Sequence, residues 1–433
     1  MLDAETTQVL EPVPPPPPPS PPKRRRARGY WLLAIGLLVM LLAGATLYAI
    51  APLRTPLPTA AVTRTLPEAT RIPGKAPVVP WPRTGQAALS VEGVGSFGTS
   101  GGNEPVPIAS VTKVMTAYVI LTEHPLDRGK QGPKLTVSAA QAAAYPAELA
   151  RGESLVPVVA GAVFTERQAL QAVLLPSANN MARILAAWDA GSVEAFVEKM
   201  NDTADALGMK DTRYTDPSGL DPGTVSTAVD QVILARKAME LPAFAEIVAQ
   251  KRATLPVAGE VKNYNSLVGR DGVVGIKTGS TDEAGGCLVF AAVTRVGGRK
   301  ITIVGAVLGQ PGANTPVQLD RVFKATRPLV RTAAAALIVH PIVKVGDQVA
   351  TVQGPLGTGT TIHAGKELSV VGWPGMRVRL DVDIPAVPEL LPAETEHGSI
   401  TAVAGLGAPV TGTLRSGARL EPPSDWDRIR QHR

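Results

Sequence analysis

One stretch limits the fate of this chain more than any other: residues 30–50 carry no charged side chain over 21 consecutive positions. As a helix rising roughly 1.5 Å per residue, that stretch is about 30 Å long, the thickness of a bilayer's hydrocarbon core. Five cations (Lys23, Arg24, Arg25, Arg26 and Arg28) precede it, and Tyr30 and Trp31 stand where interfacial aromatics sit. The pattern predicts a single transmembrane helix over 30–51, with the N-terminus in the cytoplasm and everything after it outside. A cleaved leader is the competing reading, because Ala49-Ile50-Ala51 resembles a processing site. The long basic region before the stretch, its length and Pro52 just after the cut all speak for an uncleaved anchor in the cell membrane.

Proline flanks this helix on both sides. Nine of the twelve residues 11–22 are proline, so 1–29 reads as a disordered, basic cytoplasmic tail with polyproline II character. Eight more prolines fall in 52–82, and 52–83 reads as a semi-rigid spacer without chemistry of its own. The 43 Lys and Arg against 37 Asp and Glu give a net charge of +6. Five of those positives lie in the one run, so the rest of the chain is not a nucleic-acid surface by composition. The one cysteine, Cys287, excludes an intramolecular disulfide and a CxxC-type metal or redox site. The five histidines show no metal-ligand spacing.

The informative residues lie beyond 84. Glycines 93, 95, 98, 101 and 102 between short apolar runs suggest an opening hairpin. Ile108-Ala109-Ser110-Val111-Thr112-Lys113 then leads into an apolar segment read as a buried helix. Ser110 and Lys113 are three apart and share a helix face. A serine hydroxyl becomes a nucleophile when a neighbouring base takes its proton, and a lysine is such a base when burial or a nearby cation keeps it neutral. By itself S-x-x-K says little, since Ser20 and Lys23 match it too in the proline-rich tail.

Two further motifs raise its weight. Thr165-Glu166-Arg167-Gln168 reads as a capping box opening a helix, which Pro176 interrupts to leave Ser177 and Asn179 at an exposed break. Lys277-Thr278-Gly279 precedes two β-rich runs, 287–296 and 301–308, separated by Gly297-Gly298-Arg299-Lys300. Those runs form a hairpin, with the K-T-G strand beside it. Lys277 and Thr278 offer a cation and a hydroxyl suited to a carboxylate, and Gly279 would let a substrate backbone approach.

The order S-x-x-K, S-x-N, K-T-G, with separations of 67 and 100 residues, resembles the active-site-serine penicilloyl transferases, and among them the low-molecular-mass D-alanyl-D-alanine carboxypeptidases of the S11 peptidase type. Residues 108–116, 172–182, 211–220 and 275–287 carry the resemblance, which covers roughly 84–325. It implies an α/β (α+β) β-lactamase/transpeptidase-like domain over 84–328, an antiparallel sheet flanked by a helical cluster with the site between. It implies that Ser110 attacks the peptide bond between two D-alanines of a peptidoglycan stem peptide and forms an acyl-enzyme, with Lys113 as base. Ser177 passes a proton to the leaving nitrogen, and Asn179 binds substrate and positions Lys113. Lys277 and Thr278 hold the terminal carboxylate, and the backbone N–H groups of Ser110 and Ser280 form the oxyanion hole. β-Lactam antibiotics would be covalent inhibitors. No cofactor or metal is called for. The family's second motif commonly reads S-G-N, and here Ala178 stands at its centre.

Two alternatives carry different expectations. A serine β-lactamase shares all three motifs, but the best-known class also uses a deacylating glutamate in an E-x-x-x-N context, which 177–277 lacks. A catalytically inactive wall-binding module would have lost a motif residue, and all are present. Other residues read as structural: His124 as part of a turn, Cys287 as a packed thiol, and Glu194, Glu198 and Asp202 as a solvated helix face. Beyond an Ala-rich connection at 332–337, strict alternation over 377–384 and Gly-broken β segments suggest a small all-β domain over 329–425, ending in a loose tail, 426–433.

Overall fold

The computed structural model describes residues 13–18 and 25–431. Most of the proline-rich tail and the start of its basic run lie outside the described residues; the part of the rod within them, 13–18, is exposed and without regular structure.

Five antiparallel strands build the central sheet, in the order Val273–Thr281, Gly285–Val296, Arg299–Gln310, Gln86–Val91, Gly95–Ser100. The K-T-G segment therefore lies on an edge strand, against the hairpin expected from the sequence. Along Gly285–Val296, alternate residues go to different cores. Cys287, Val289 and Ala291 join the helical cluster, while Leu288, Phe290 and Ala292 join the core on the other face. That division explains why the strand reads as a continuous apolar run: the sheet is covered on both faces. The helical cluster comprises Lys113–Glu123, Glu166–Leu174, Asn179–Ala190, Val193–Leu207, Ala228–Glu240 and Pro242–Val248, packed around Met115, Leu170, Met181, Phe196 and Phe244. The capping box at Thr165 and Gln168 is present.

The opposite face is covered by the helix Thr315–Ala336, which presents Val322, Leu329, Val330 and Ala333. This helix runs through the boundary expected at 328/329 and includes the Ala-rich connection. Alanine is the strongest helix former, and the run simply extends the last turns.

The spacer expectation for 52–83 needs correction. Ala61–Arg64 pairs with Gln348–Gln353, and Ala69–Arg71 pairs with Arg377–Asp383, as the two outermost strands of a seven-stranded sheet otherwise drawn from 348–416. Seven strands laid flat would separate those edges by about 29 Å. The four residues between the two segments span at most about 17 Å. The sheet must therefore curl until its edges meet, and Arg64 joins them, its Nη2 donating to the Leu380 carbonyl at 2.9 Å. The prolines hid this because each strand is only three or four residues long.

The N-terminal helix, Arg25–Arg54, contains a 26-residue segment, Gly29–Arg54, long and apolar enough to cross a membrane, as an anchor or a signal sequence does. The tail expected to be loose carries a short helix, Asp425–Arg430, capped by Ser424. Arg428 reaches from it to the carbonyls of Pro52 and Thr55 at 3.0 and 2.7 Å, at the end of the N-terminal helix.

Candidate active site

Ser110 lies in a 3₁₀ turn, Ala109–Thr112, that continues directly into the helix Lys113–Glu123. Side chains three apart eclipse one another in a 3₁₀ turn, so the serine and lysine face each other. The turn is held from below by the loop at 216–220. Ala109 adopts a positive φ of 46°, and Gly219 packs so tightly beneath it that any side chain there would strike the Ala109 carbonyl. Asp216 organises that loop, accepting from the backbone N–H groups of Ser218, Gly219 and Leu220.

Lys113 is completely buried, and its Nζ has three partners: Ser110 Oγ at 2.8 Å, Asn179 Oδ1 at 2.7 Å and the Ser218 carbonyl at 2.7 Å. Burial holds its pKa well below the ordinary lysine range, and the Lys277 cation adds to the effect while Asp216 opposes it. The cationic neighbour expected from the sequence is therefore Lys277. That lysine is itself buried, donates to the Thr278 carbonyl at 2.9 Å, and is pushed by burial to about 7.

Ser177 and Asn179 occupy the break between Glu166–Leu174 and Asn179–Ala190. The break is buried rather than exposed, with Ser177 at 3% and Asn179 at 4% accessibility. Ser177 carries the unusual backbone, φ +69°, and its Oγ has no hydrogen-bond partner among the described residues. Ala178 has an ordinary φ of −63°, a conformation in which a methyl group carries no backbone strain.

Gly279 answers a different need from the one its motif suggested. A Cβ there would sit 2.8 Å from the Ile108 carbonyl and 3.0 Å from the amide nitrogens of Ser110 and Val111. It allows the K-T-G strand to lie against the nucleophile's own turn. The Ser280 hydroxyl donates to Gln318 Oε1 and lies 3.2 Å from Thr315 Oγ1 on the following helix, whose hydroxyl can donate in return. Thr278 is buried at 4% accessibility. Serine, lysine and asparagine thus form one hydrogen-bonded cluster, and the K-T-G strand closes on it.

The sequence did not point to Ser218, whose carbonyl acts through the backbone and leaves no side-chain signature. Asp216-Pro217-Ser218-Gly219 does carry a signal, a turn whose aspartate bonds the backbone ahead of it. Cys287 is buried and its thiol pushed up to about 12, chiefly by burial, as an inert packed group. His124 ends its helix and bonds Asp189 at 2.9 Å.

Comparison with known proteins adds independent findings. A sequence model described as D-alanyl-D-alanine carboxypeptidase, Peptidase_S11, matches residues 99–311. The chain is 35% identical over 216 residues to the D-alanyl-D-alanine carboxypeptidase of Streptomyces sp. K15, covering 46% of this chain and 71% of that protein. It is 31% identical over 257 residues to D-alanyl-D-alanine carboxypeptidase DacF of Bacillus subtilis, covering 58% and 62%. The matched segment spans less than two thirds of the length of the first curated relatives. Penicillin binding protein 5 from Haemophilus influenzae shares the fold over 80% of this chain and 99% of its own, with a TM-score of 0.54 at 20% identity.

Proposed function

The chain belongs to the D-alanyl-D-alanine carboxypeptidase family, peptidase S11, and from that premise we propose that it is a serine D,D-carboxypeptidase that removes the terminal D-alanine from peptidoglycan stem peptides. The observation that carries this reading is the company kept by Lys113 Nζ. A neutral lysine has two N–H bonds and one lone pair. Asn179 Oδ1 and the Ser218 carbonyl can only accept, so they take both N–H bonds. The lone pair is left for the third partner, Ser110, whose hydroxyl then donates to it. The burial that lowers the lysine pKa favours the neutral form this requires.

Chemistry follows from that polarity. Ser110 Oγ attacks the carbonyl carbon of the D-Ala-D-Ala bond as its proton passes to Lys113 Nζ. Negative charge collects on the carbonyl oxygen, facing the N–H groups of Ser110 and Ser280; what supports this is the close approach of the strand at Gly279 to the Ser110 amide. The C–N bond breaks as the leaving nitrogen takes a proton through Ser177. Asn179 hydrogen-bonds the peptide, and Lys277 and Thr278 bind the terminal carboxylate. Water then attacks the acyl-serine and releases the shortened peptide. A β-lactam would follow the first steps and remain as a penicilloyl adduct.

The proposal extends to the domain plan at the two ends. The 30–51 segment acts as a single-pass anchor with the N-terminus cytoplasmic, and the curled β domain sets the height of the catalytic domain above the membrane. What supports this is the strap at 61–71, which enters the β domain a few residues after the helix ends, and the Arg428 contacts at the helix exit.

The test uses the full chain in detergent micelles, wild type beside Ser110→Ala, with a D-Ala-D-Ala-terminated peptide and a labelled penicillin. Free D-alanine and a stable adduct, both lost in the variant, are the expected result. Rapid penicillin hydrolysis without D-alanine would make the protein a β-lactamase. Neither signal from folded protein would leave the inactive wall-binding module.

A further inference from the structure

Resting on the lysine-base reading above, we propose that Glu153 is a positioning residue that fixes which end of the Asn179 amide faces Lys113. Glu153 belongs to none of the three motifs. Its side chain is 1% exposed, yet it is an ionised carboxylate with every contact accounted for by donors. Oε1 accepts from Arg151 Nε at 3.1 Å and Nη2 at 2.7 Å, and Oε2 accepts from Arg183 Nη2 at 2.8 Å and Asn179 Nδ2 at 3.3 Å. Burial pushes the carboxyl up, but the hydrogen bonds from Arg183 and Arg151 outweigh it and hold the group below the usual range.

The consequence lies in the symmetry of an amide. Asn179 fits its site equally well with oxygen and nitrogen exchanged, and only its partners distinguish the two. A carboxylate accepts and never donates, so Oε2 of Glu153 selects Nδ2 and turns Oδ1 toward Lys113. In the exchanged orientation, an Nδ2–H would point at Nζ and donate to the lone pair of the neutral lysine. That lone pair is the one Ser110 needs. Glu153 therefore keeps the base free, and it does so at little electrostatic cost to the neutral lysine because Arg151 and Arg183 balance its charge.

Glutamine is the diagnostic replacement. Its single carbonyl can serve Arg183 and Asn179 together at the Oε2 position, while Arg151, which is 59% exposed, turns to solvent. The experiment measures the second-order acylation rate by a labelled penicillin between pH 5 and 10, on the full chain in detergent. Variants are Glu153→Gln, Glu153→Ala, Glu153→Met, Asn179→Ala and the double variant Glu153→Ala/Asn179→Ala, each with a thermal melt. The expected result is acylation within threefold of wild type for Glu153→Gln, with an unshifted acidic limb. Glu153→Ala and Glu153→Met, of which Met keeps the side-chain length, should lose roughly tenfold or more, and the loss should shrink below about twofold in the Asn179→Ala background. A tenfold loss in Glu153→Gln would mean that the charge acts directly, and overturns the proposal. So would an equal loss with and without Asn179, or wild-type rates in folded Glu153→Ala or Glu153→Met. Failure of the wild type itself to acylate at Ser110 would instead sink the lysine-base reading, a distinguishable outcome.

Discussion

Gly279 and Ser110 are separated by 169 positions in sequence, yet a Cβ on Gly279 would stand 3.0 Å from the Ser110 amide nitrogen. The edge strand and the nucleophile's turn are in backbone contact, and there is no room for a methyl group between them. Gly279→Ala should push the two apart and misplace the N–H donors. We expect acylation by penicillin to fall at least about 100-fold, the effect of losing one oxyanion donor, with a stability cost of about 1–3 kcal/mol from overpacking. Stopped-flow acylation and denaturant melts measure both, and a wild-type rate would remove Ser280 from the oxyanion hole.

Ser177 holds a backbone conformation that glycine adopts freely, and its buried hydroxyl has no partner among the described residues. Both features destabilise the free protein and have the same sign. Ser177→Gly should raise the melting temperature by roughly 2–4 °C. The same change should slow D-alanine release about 100-fold through loss of proton transfer. A lowered melting temperature would show that the serine conformation is not strained.

The pH profile separates the two lysines. Lys113 must be neutral to act, and its lowered pKa sets the acidic limb. Lys277 must be charged to hold a carboxylate, and with a pKa of about 7 it loses its proton as pH rises through that value. For a carboxylate-ended peptide, kcat/KM of the free enzyme should therefore decline above about pH 7. Lys277→Arg keeps its charge and should move that decline upward by more than a unit. Identical basic limbs in the two proteins would assign the decline to another group.

Glu166 is buried at the start of the helix that leads to Ser177, with neither carboxylate oxygen hydrogen-bonded among the described residues, and burial raises it to about 7. For a carboxyl raised in this way, the folded state is favoured at pH values below the ordinary 4.5, and that advantage is lost as pH rises through 7. Glu166→Gln removes the charge at every pH. Its melting temperature should exceed that of wild type by roughly 3–6 °C at pH 8 and come close to it at about pH 4. Equal differences at both pH values would locate the effect in shape rather than charge.

Arg64 ties the two edges of the β domain through the carbonyls of Leu66, Pro67 and Leu380. Arg64→Ala should destabilise that domain by about 1–3 kcal/mol, read as faster limited proteolysis within 338–420. Penicillin acylation, measured before cleavage, should stay within twofold. Unchanged proteolysis would mean that strand pairing alone closes the sheet.

Much of this site was legible in the sequence because catalysis constrains side-chain identity. Ser110, Lys113, Asn179 and Lys277 stand in motifs whose order and spacing resemble one family, and the first three meet in one hydrogen-bonded cluster. Glu153 escaped notice because its work depends on an orientation. No spacing rule connects it to Asn179, 26 positions away. Ser218 contributes a carbonyl, which every residue has.

The sequence by itself determined the membrane-length apolar helix, the family and the chemical inventory of the site. The helix follows from local composition, and the family and the inventory from the identity and order of three motifs. Only the tertiary structure decided that 61–71 is a strap and not a spacer, that Gly279 yields to Ser110's own turn, and that Lys113 has two fixed acceptors leaving one lone pair. These depend on contacts between segments far apart in the chain. Their free energy comes from burial and closure, which no local window of sequence contains.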